Sequence, residues 1–163
     1  MRILGISGSL RAESHNTRLL RAAGELFEAA GAEFALYGGL KAVPPYDEDD
    51  SEPAPTAVAH LRDAVADADF FSTPEYNSSV PGQLKNALDW VSRPIATNVL
   101  RNTPVAVVGA STGMFGAVWS QAEQRKVLAA VGARVVEARL RSARRTRAST
   151  KRAGSPTRRS GSG

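Results

Sequence analysis

The first stretch with residue types suited to chemistry is GSLRAESHNT, residues 8–17, which follows an apolar run at residues 3–6. A polar loop between a strand and a helix brings backbone N–H groups and the positive helix end together, so it attracts anions. The loop contains neither G-x-x-x-x-G-K-[ST] nor G-x-G-x-x-G. Hydroxyl and amide side chains without a lysine favour a phosphate monoester bound without a metal, and Arg11 adds a charge-assisted contact. The alternative is that Ser and Asn side chains only cap the helix.

A second polar loop, residues 73–82, reads TPEYNSSVPG and directly follows another apolar stretch. A rigid turn containing Pro74 can present backbone N–H and C=O groups to a planar heteroaromatic ring, with Tyr76 packed beside that ring. Glu75 is either a catalytic acid or a residue that orients the loop or a neighbouring subunit, and the orienting role is favoured. A third loop, residues 109–116, is rich in small residues that let the backbone approach a ring edge closely.

Apolar stretches alternate with helical patterns along the chain, which predicts an α/β fold with a parallel sheet covered on both faces. Strands are predicted at residues 3–6, 33–37, 67–73, 103–111 and 133–140. Helices are predicted at residues 16–30, 56–66, 81–92 and 116–132. Right-handed crossovers then give a doubly wound sheet, in which ligands bind at the carboxyl ends of the strands. The three polar loops are therefore expected at one edge.

Composition excludes several classes of function. The chain has 163 residues, which is enough for one domain, and it has no cysteine and two histidines. Disulfides, thiolate catalysis and cysteine metal sites are thereby excluded, and little remains for a zinc centre. No apolar run is long enough to span a membrane, and the N-terminus does not resemble a secretory signal. We therefore expect a soluble cytoplasmic protein.

The net charge of +5 arises from the C-terminal residues. Residues 139–163 carry nine Lys and Arg and no acid, so residues 1–138 hold 12 basic and 16 acidic side chains. The high isoelectric point is thus a property of the tail, and the body is a mildly acidic domain.

Three segments together resemble the NADPH-dependent FMN reductase family, the flavodoxin-like group that includes quinone, azo-dye and chromate reductases. They are GSLRAESHNT, TPEYNSSVPGQLKNALDW and ASTGMFGAVWSQAEQRKVLAAVGARVV. The resemblance runs from Arg2 to Glu137 with collinear spacing, and the second segment is the most specific. It implies a flavodoxin-like five-stranded sheet of order 2-1-3-4-5, with FMN at the point where strand order reverses.

The resemblance also implies which residues bind the cofactor. The FMN phosphate would be held by Ser9, Arg11, Ser14, Asn16 and Thr17. The isoalloxazine ring would be lined by Pro74, Glu75, Tyr76 and Asn77, with Ser111 and Gly113 on its third side. No catalytic side chain is implied, because the flavin carries the chemistry. His15 is expected to be a solvated loop side chain.

By the same resemblance, NADPH would give a hydride to FMN, and a quinone or similar acceptor would then use the same space in ping-pong order. The alternative is a flavodoxin-like electron carrier that binds FMN but is not rapidly reduced by NADPH. The choice between NADPH and NADH and the identity of the acceptor stay open. Homodimers or homotetramers are common in the family. Tyr46, Phe115 and Trp119 are either subunit contacts or parts of the chain's own core.

The sequence departs from the family pattern after Leu140, where no Leu, Val, Ile, Phe, Met or aromatic residue remains. We therefore expect a flavodoxin-like FMN-binding domain at residues 1–140, without the usual final helix, and a disordered basic tail at residues 141–163. The Arg- and Ser-rich composition favours a frameshift or gene-model error. A genuine tail that binds nucleic acid is the weaker reading, because the tail offers no aromatic side chain for base stacking.

Overall fold

The computed structural model describes residues 1–136, which form a five-stranded parallel sheet with helices on both faces. The strands are β1 Arg2–Ser7, β2 Glu33–Tyr37, β3 Ala68–Ser72, β4 Pro104–Val108 and β5 Arg134–Val135. The helices are α1 His15–Ala29, α2 Thr56–Ala64, α3 Gly82–Val91 and α4 Val118–Ala130. The strand order β2-β1-β3-β4-β5 confirms the predicted doubly wound sheet.

Several predictions from the sequence concern residues after 136 and so lie outside the described residues. They are the later part of the fifth strand, the missing final helix and the disordered basic tail. The proposed domain boundary at residue 140 stays a prediction for the same reason. Within residues 1–136, no helix is both long and apolar enough to cross a membrane.

The start of α4 differs from the sequence prediction. The pattern places the helix from residue 116, whereas it begins at Val118. Gly116 and Ala117 adopt left-handed φ angles of 59° and 62°, which a right-handed helix cannot include. The two residues instead turn the chain into the helix.

The main core lies between the sheet and the helices α2, α3 and α4. Phe71 of β3, Val105 of β4 and Leu128 of α4 belong to one buried cluster. Trp90 of α3 has no exposed surface, and its indole N–H donates to the Pro44 carbonyl at 2.9 Å. Trp90 is therefore a fully buried part of this core.

Tyr46 also belongs to this core. Its ring centroid lies 4.9 Å from that of Trp90 in an edge-to-face arrangement, and Tyr46 is half-buried there. The reading of Tyr46 as part of the chain's own core is thus correct.

Helix α1 packs on the opposite face of the sheet through the ring of Phe34. A Cβ atom at Gly5 would lie 2.5 Å from that ring, and one at Gly24 would collide with it as well. Two glycines therefore let the helix lie close to the strands. Leu26 of the same helix is 73 % exposed. It lies about 200° around the helix from Gly24.

The buried carboxyl group of Asp69 in β3 stands out from the apolar core. Only 2 % of its surface is exposed, one oxygen accepts the Ala66 N–H at 3.4 Å, and within residues 1–136 the other has no partner. Burial raises the pKa of Asp69 to about 7 because a charged carboxylate loses its hydration there.

We predict that Asp69 makes the fold less stable as the pH rises. Between about pH 4 and pH 7 the folded chain binds more protons at this group than the unfolded chain, so the free energy of unfolding falls with rising pH. Asp69→Asn removes this dependence and should be about 1–3 kcal/mol more stable than the parent at pH 8. Urea unfolding at several pH values measures the effect.

The exposed neighbour Asp63 provides the control, because Asp63→Asn changes the same charge on the surface. The prediction would be contradicted if the difference in free energy of unfolding between Asp69→Asn and the parent were the same at pH 5 and pH 8.

Candidate functional site

Three loops meet at the carboxyl ends of β1, β3 and β4, which are neighbours in the sheet. We call them the first loop (residues 8–17), the second loop (residues 73–82) and the third loop (residues 109–116). Between them lies an open groove of about 150 Å³, hereafter the three-loop groove. The residues that line it are Ser9, Arg11, Ser14, His15, Asn16, Pro74, Glu75, Tyr76, Ala110, Ser111 and Thr112.

Eight of the eleven residues predicted for cofactor binding line this groove. They are Ser9, Arg11, Ser14, Asn16, Pro74, Glu75, Tyr76 and Ser111. The other three, Thr17, Asn77 and Gly113, are not among the lining residues. The structure therefore brings together residues from all three loops, and the role of each toward a ligand stays a prediction.

The first loop ends in the N-cap of α1. Ser14 is buried, and its hydroxyl oxygen accepts the N–H groups of Asn16 at 3.2 Å and Thr17 at 3.3 Å. The capping alternative thus describes what Ser14 does in this structure. The first turn of α1 contains no acidic residue, so no carboxylate of that turn offsets the partial positive charge at the start of the helix.

Asn16 of the first loop joins the third loop and the end of β3 through its side-chain amide. The Nδ2 group donates to the Ala110 carbonyl at 2.9 Å, and Oδ1 accepts the Ala110 N–H at 2.9 Å. The same Oδ1 accepts the Ser72 hydroxyl at the end of β3, at 2.8 Å. Because Asn16 is 2 % exposed and its oxygen already accepts two bonds, its amide acts within the protein.

The side chain of Thr17 is also turned toward the protein. Its hydroxyl donates to the Ser7 hydroxyl at 2.9 Å, and the same Ser7 oxygen accepts the Ser9 N–H at 3.3 Å. By contrast, the Arg11 side chain forms no ion pair within residues 1–136. Arg11 is exposed and lines the groove, so its guanidinium is available to an anion bound there.

The second loop contains a tight turn at its tip. The backbone groups of Tyr76 and Ser79 exchange hydrogen bonds of 3.2 Å and 3.0 Å, and the residues between them, Asn77 and Ser78, have φ angles of 52° and 60°. Two successive left-handed residues are typical of a type I′ turn. Asn77 thus shapes the turn, while Tyr76, which is 53 % exposed, borders the groove.

Glu75 bonds to the start of α4. One oxygen of its carboxylate accepts the N–H groups of Trp119 at 3.0 Å and Ser120 at 3.1 Å. Next to it, the Pro74 carbonyl accepts the Ser120 hydroxyl at 2.8 Å. These contacts agree with the reading in which Glu75 orients the loop.

A second carboxylate of α4 holds the far end of the same loop. Glu123 accepts the Ser79 hydroxyl at 2.6 Å and the Val80 N–H at 3.3 Å. The hydrogen bond from the Ser79 hydroxyl holds the pKa of Glu123 below its usual value. The second loop is therefore attached to α4 at both ends.

The third loop lies against the second because of a glycine. A Cβ atom at Gly109 would lie 2.7 Å from the Thr73 carbonyl oxygen, so no larger residue fits there without a shift of the backbone. Further along, the Ser111 hydroxyl accepts the Gly113 N–H at 3.0 Å. Gly113 therefore stabilises the third loop through a hydrogen bond inside that loop.

Three exposed aromatic residues, Tyr76, Phe115 and Trp119, lie on the second loop, the third loop and the start of α4, and we call them the aromatic patch. The exposed fractions of Phe115 and Trp119 are 57 % and 46 %, and their ring centroids are 4.9 Å apart. The alternative that Phe115 and Trp119 belong to the core is wrong. Of the three aromatic residues Tyr46, Phe115 and Trp119, only Tyr46 packs against the core.

His15, Ala110 and Thr112 line the groove but were not among the residues predicted to bind the cofactor. His15 was expected to be solvated and is exposed, yet it lies at the groove as the first residue of α1. Thr112 lies between Ser111 and Gly113, which were both predicted, so its position in the third loop could have identified it as a lining residue. Ala110 acts through its backbone, which its side-chain type does not reveal.

The groove offers groups suited to a phosphate and groups suited to a flat ring. The α1 N-terminus, Arg11 and the hydroxyl of Ser9 are suited to a phosphate. Pro74, Tyr76 and the backbone of the third loop are suited to a ring. These donors and surfaces fit FMN.

Curated relatives point in the same direction. The chain is 39 % identical over 132 residues to a 2-hydroxy-1,4-benzoquinone reductase of Burkholderia sp., which covers 79 % of this chain and 70 % of the relative. It is 42 % identical over 132 residues to an NAD(P)H-dependent FMN reductase of Pseudomonas aeruginosa, covering 78 % and 69 % of the two chains.

Among solved structures, the flavoenzyme NAD(P)H:(acceptor) oxidoreductase of Paracoccus denitrificans superposes with a TM-score of 0.78 at 37 % identity. The match covers 83 % of this chain and 75 % of that one. A flavodoxin of Pseudomonas aeruginosa gives 0.58 at 18 % identity over 84 % and 80 % of the two chains, which shows the shared flavodoxin-like fold alone. Residues 1–145 match the family described as NADPH-dependent FMN reductase. With the groove and these relatives, that match shows that the chain belongs to the NADPH-dependent FMN reductase family.

Proposed function

We propose that this chain binds FMN in the three-loop groove, receives a hydride from NADPH or NADH, and reduces a quinone or similar small acceptor. Family membership establishes an oxidoreductase that uses FMN and NAD(P)H. The observation that carries the proposal is that one groove is lined both by an arginine, hydroxyl groups and a helix N-terminus and by Pro74, Tyr76 and the third loop. A quinone is the proposed acceptor because relatives are named quinone reductases.

The phosphate is proposed to lie at the start of α1. Ser9 and Arg11 supply a hydroxyl and a guanidinium, and the helix end supplies partial positive charge. Asn16 and Thr17 support this end from behind, since their side chains bond to Ala110 and to Ser7. Ser14 fixes the first turn and keeps its own hydroxyl proton for an anion.

The ring is proposed to lie between the second and third loops. When bound, FMN supplies the ring that accepts a hydride and stores the electrons. Pro74 and Tyr76 form one wall, and the backbone beside Ser111 forms the other. No pair of acid and base side chains is needed, and the one carboxylate in the lining, that of Glu75, is bonded to α4.

The electron-carrier alternative is not favoured. The flavodoxin likeness rests on 18 % identity, whereas the relatives at about 40 % identity are named reductases. Anaerobic stopped-flow mixing of the FMN-loaded protein with NADPH tests the proposal. We predict loss of the oxidised-flavin absorbance at a rate on the order of 1 s⁻¹ or faster, as turnover by an enzyme requires. Bleaching over many minutes would instead identify a carrier, and repetition with NADH measures the preference between the two donors.

The phosphate end of the groove gives a second prediction. Arg11→Ala should weaken FMN binding by about 10- to 100-fold, because a charge-assisted hydrogen bond contributes roughly 1.5–3 kcal/mol. Riboflavin has the same ring and no phosphate, so its Kd should stay within about 3-fold of the parent's. Flavin fluorescence titrations measure both constants.

The control for this prediction is Arg21→Ala, which removes an exposed arginine from α1, the helix that follows the first loop. It should change neither constant. Equal weakening of FMN and riboflavin by Arg11→Ala would place Arg11 at the ring instead of the phosphate.

We further propose that the aromatic patch is covered by a second copy of the chain in a homodimer or homotetramer. An exposed pair of aromatic rings packed edge to face is typical of an interface. Trp119→Ser should then raise the dissociation constant of the oligomer by at least about 10-fold. Sedimentation velocity across a range of concentrations measures this, and a parent chain that stays monomeric would contradict it.

A cytoplasmic location stays a prediction from composition. The nucleic-acid reading depends on the basic residues of the tail, which lie outside the described residues, and the family match gives it no support.

A further inference from the structure

We propose that Glu75 is a positioning residue that sets the width of the flavin-ring end of the groove, by capping α4 from the second loop. The inference rests on the proposed function, since it concerns the ring of the flavin bound in that groove. It assigns Glu75 to the alignment of two loops and not to proton transfer.

Helix α4 lacks a cap of its own. Its N-cap residue is Ala117, which has a left-handed φ of 62° and no side chain able to accept a hydrogen bond. The first turn of a helix leaves backbone N–H groups without intrahelical partners. Glu75 accepts two of them, those of Trp119 and Ser120. The carboxylate thus takes the place of a local capping side chain, and its charge suits the positive end of the helix.

This cap fixes one wall of the groove relative to the other. Glu75 lies between Pro74 and Tyr76, which border the ring end on one side. The other border, Ala110–Thr112, runs into α4 through the turn at Ala117. The Glu75 carboxylate thus bonds the Pro74–Tyr76 wall to α4, and α4 continues the Ala110–Thr112 wall. The bond therefore sets the distance between the two walls.

Other contacts of the second loop do not replace this function. Glu123 holds the loop at Ser79 and Val80, beyond the tight turn and outside the residues that line the groove. The Ser120 hydroxyl bonds to the Pro74 carbonyl, which holds the start of the wall but not its continuation toward Tyr76. The bonds of Glu75 are therefore the ones that hold the middle of the ring-side wall.

The test compares FMN and riboflavin binding to the full chain and to three variants. In Glu75→Ala, the Kd of both flavins should rise by the same factor, about 3- to 30-fold, which corresponds to loss of a helix cap. Glu75→Gln keeps an oxygen acceptor at the same place and should restore both constants to within about 3-fold of the parent. Glu123→Ala is the matched control, because it removes a carboxylate that bonds to the same loop away from the groove, and it should leave both constants unchanged.

Melting temperatures of all four proteins separate positioning from general loss of stability. Glu75→Ala and Glu123→Ala should melt at similar temperatures and differ in flavin affinity. The inference is overturned if Glu75→Ala binds both flavins as the parent does, if only FMN is affected, or if Gln is no better than Ala. A parent chain that binds neither flavin would overturn the proposed function itself, and the inference with it.

Discussion

The geometry of the groove depends on one buried amide, that of Asn16. Its two hydrogen bonds to Ala110 tie the start of α1 to the third loop, and its bond from Ser72 ties both to the end of β3. A side chain lacking either amide group would leave buried backbone or hydroxyl groups of these partners unpaired, which costs about 1–3 kcal/mol for each group. Asn16 therefore holds together the segments at the carboxyl ends of β1, β3 and β4, which would otherwise only be neighbours in the sheet.

Around that amide, polar side chains of the site act mainly on the protein's own backbone. Ser14 caps α1, and Glu75 caps α4 from the second loop. Arg11 differs from them, because within the described residues its guanidinium has no acidic partner. The site thus combines a preorganised frame with few groups left over for a ligand. Such rigidity lowers the entropy that binding would otherwise cost.

Local signals in the sequence were sufficient for the doubly wound sheet and for the segments that form the groove, because strand and helix patterns and polar loops after strands are local. The strand order came from the resemblance to the family. The sequence was not sufficient for how individual side chains are used. Asn16 meets a partner 94 residues away, and Glu75 meets its partners 44 and 45 residues away, so these roles depend on tertiary packing. The exposure of Leu26 and the late start of α4 likewise follow from packing and from the left-handed Ala117.

The spacing of the groove's parts along the chain also ties ligand binding to folding as a whole. The strands beneath the groove, β1, β3 and β4, come from residues 2–7, 68–72 and 104–108, so the cradle exists only when most of the sheet has assembled. A ligand held there is lost when the sheet unfolds, and binding therefore stabilises the whole sheet by RT ln(1 + [L]/Kd). For a chain that binds FMN in this groove, the free concentration of FMN therefore sets part of the free energy that holds the sheet folded.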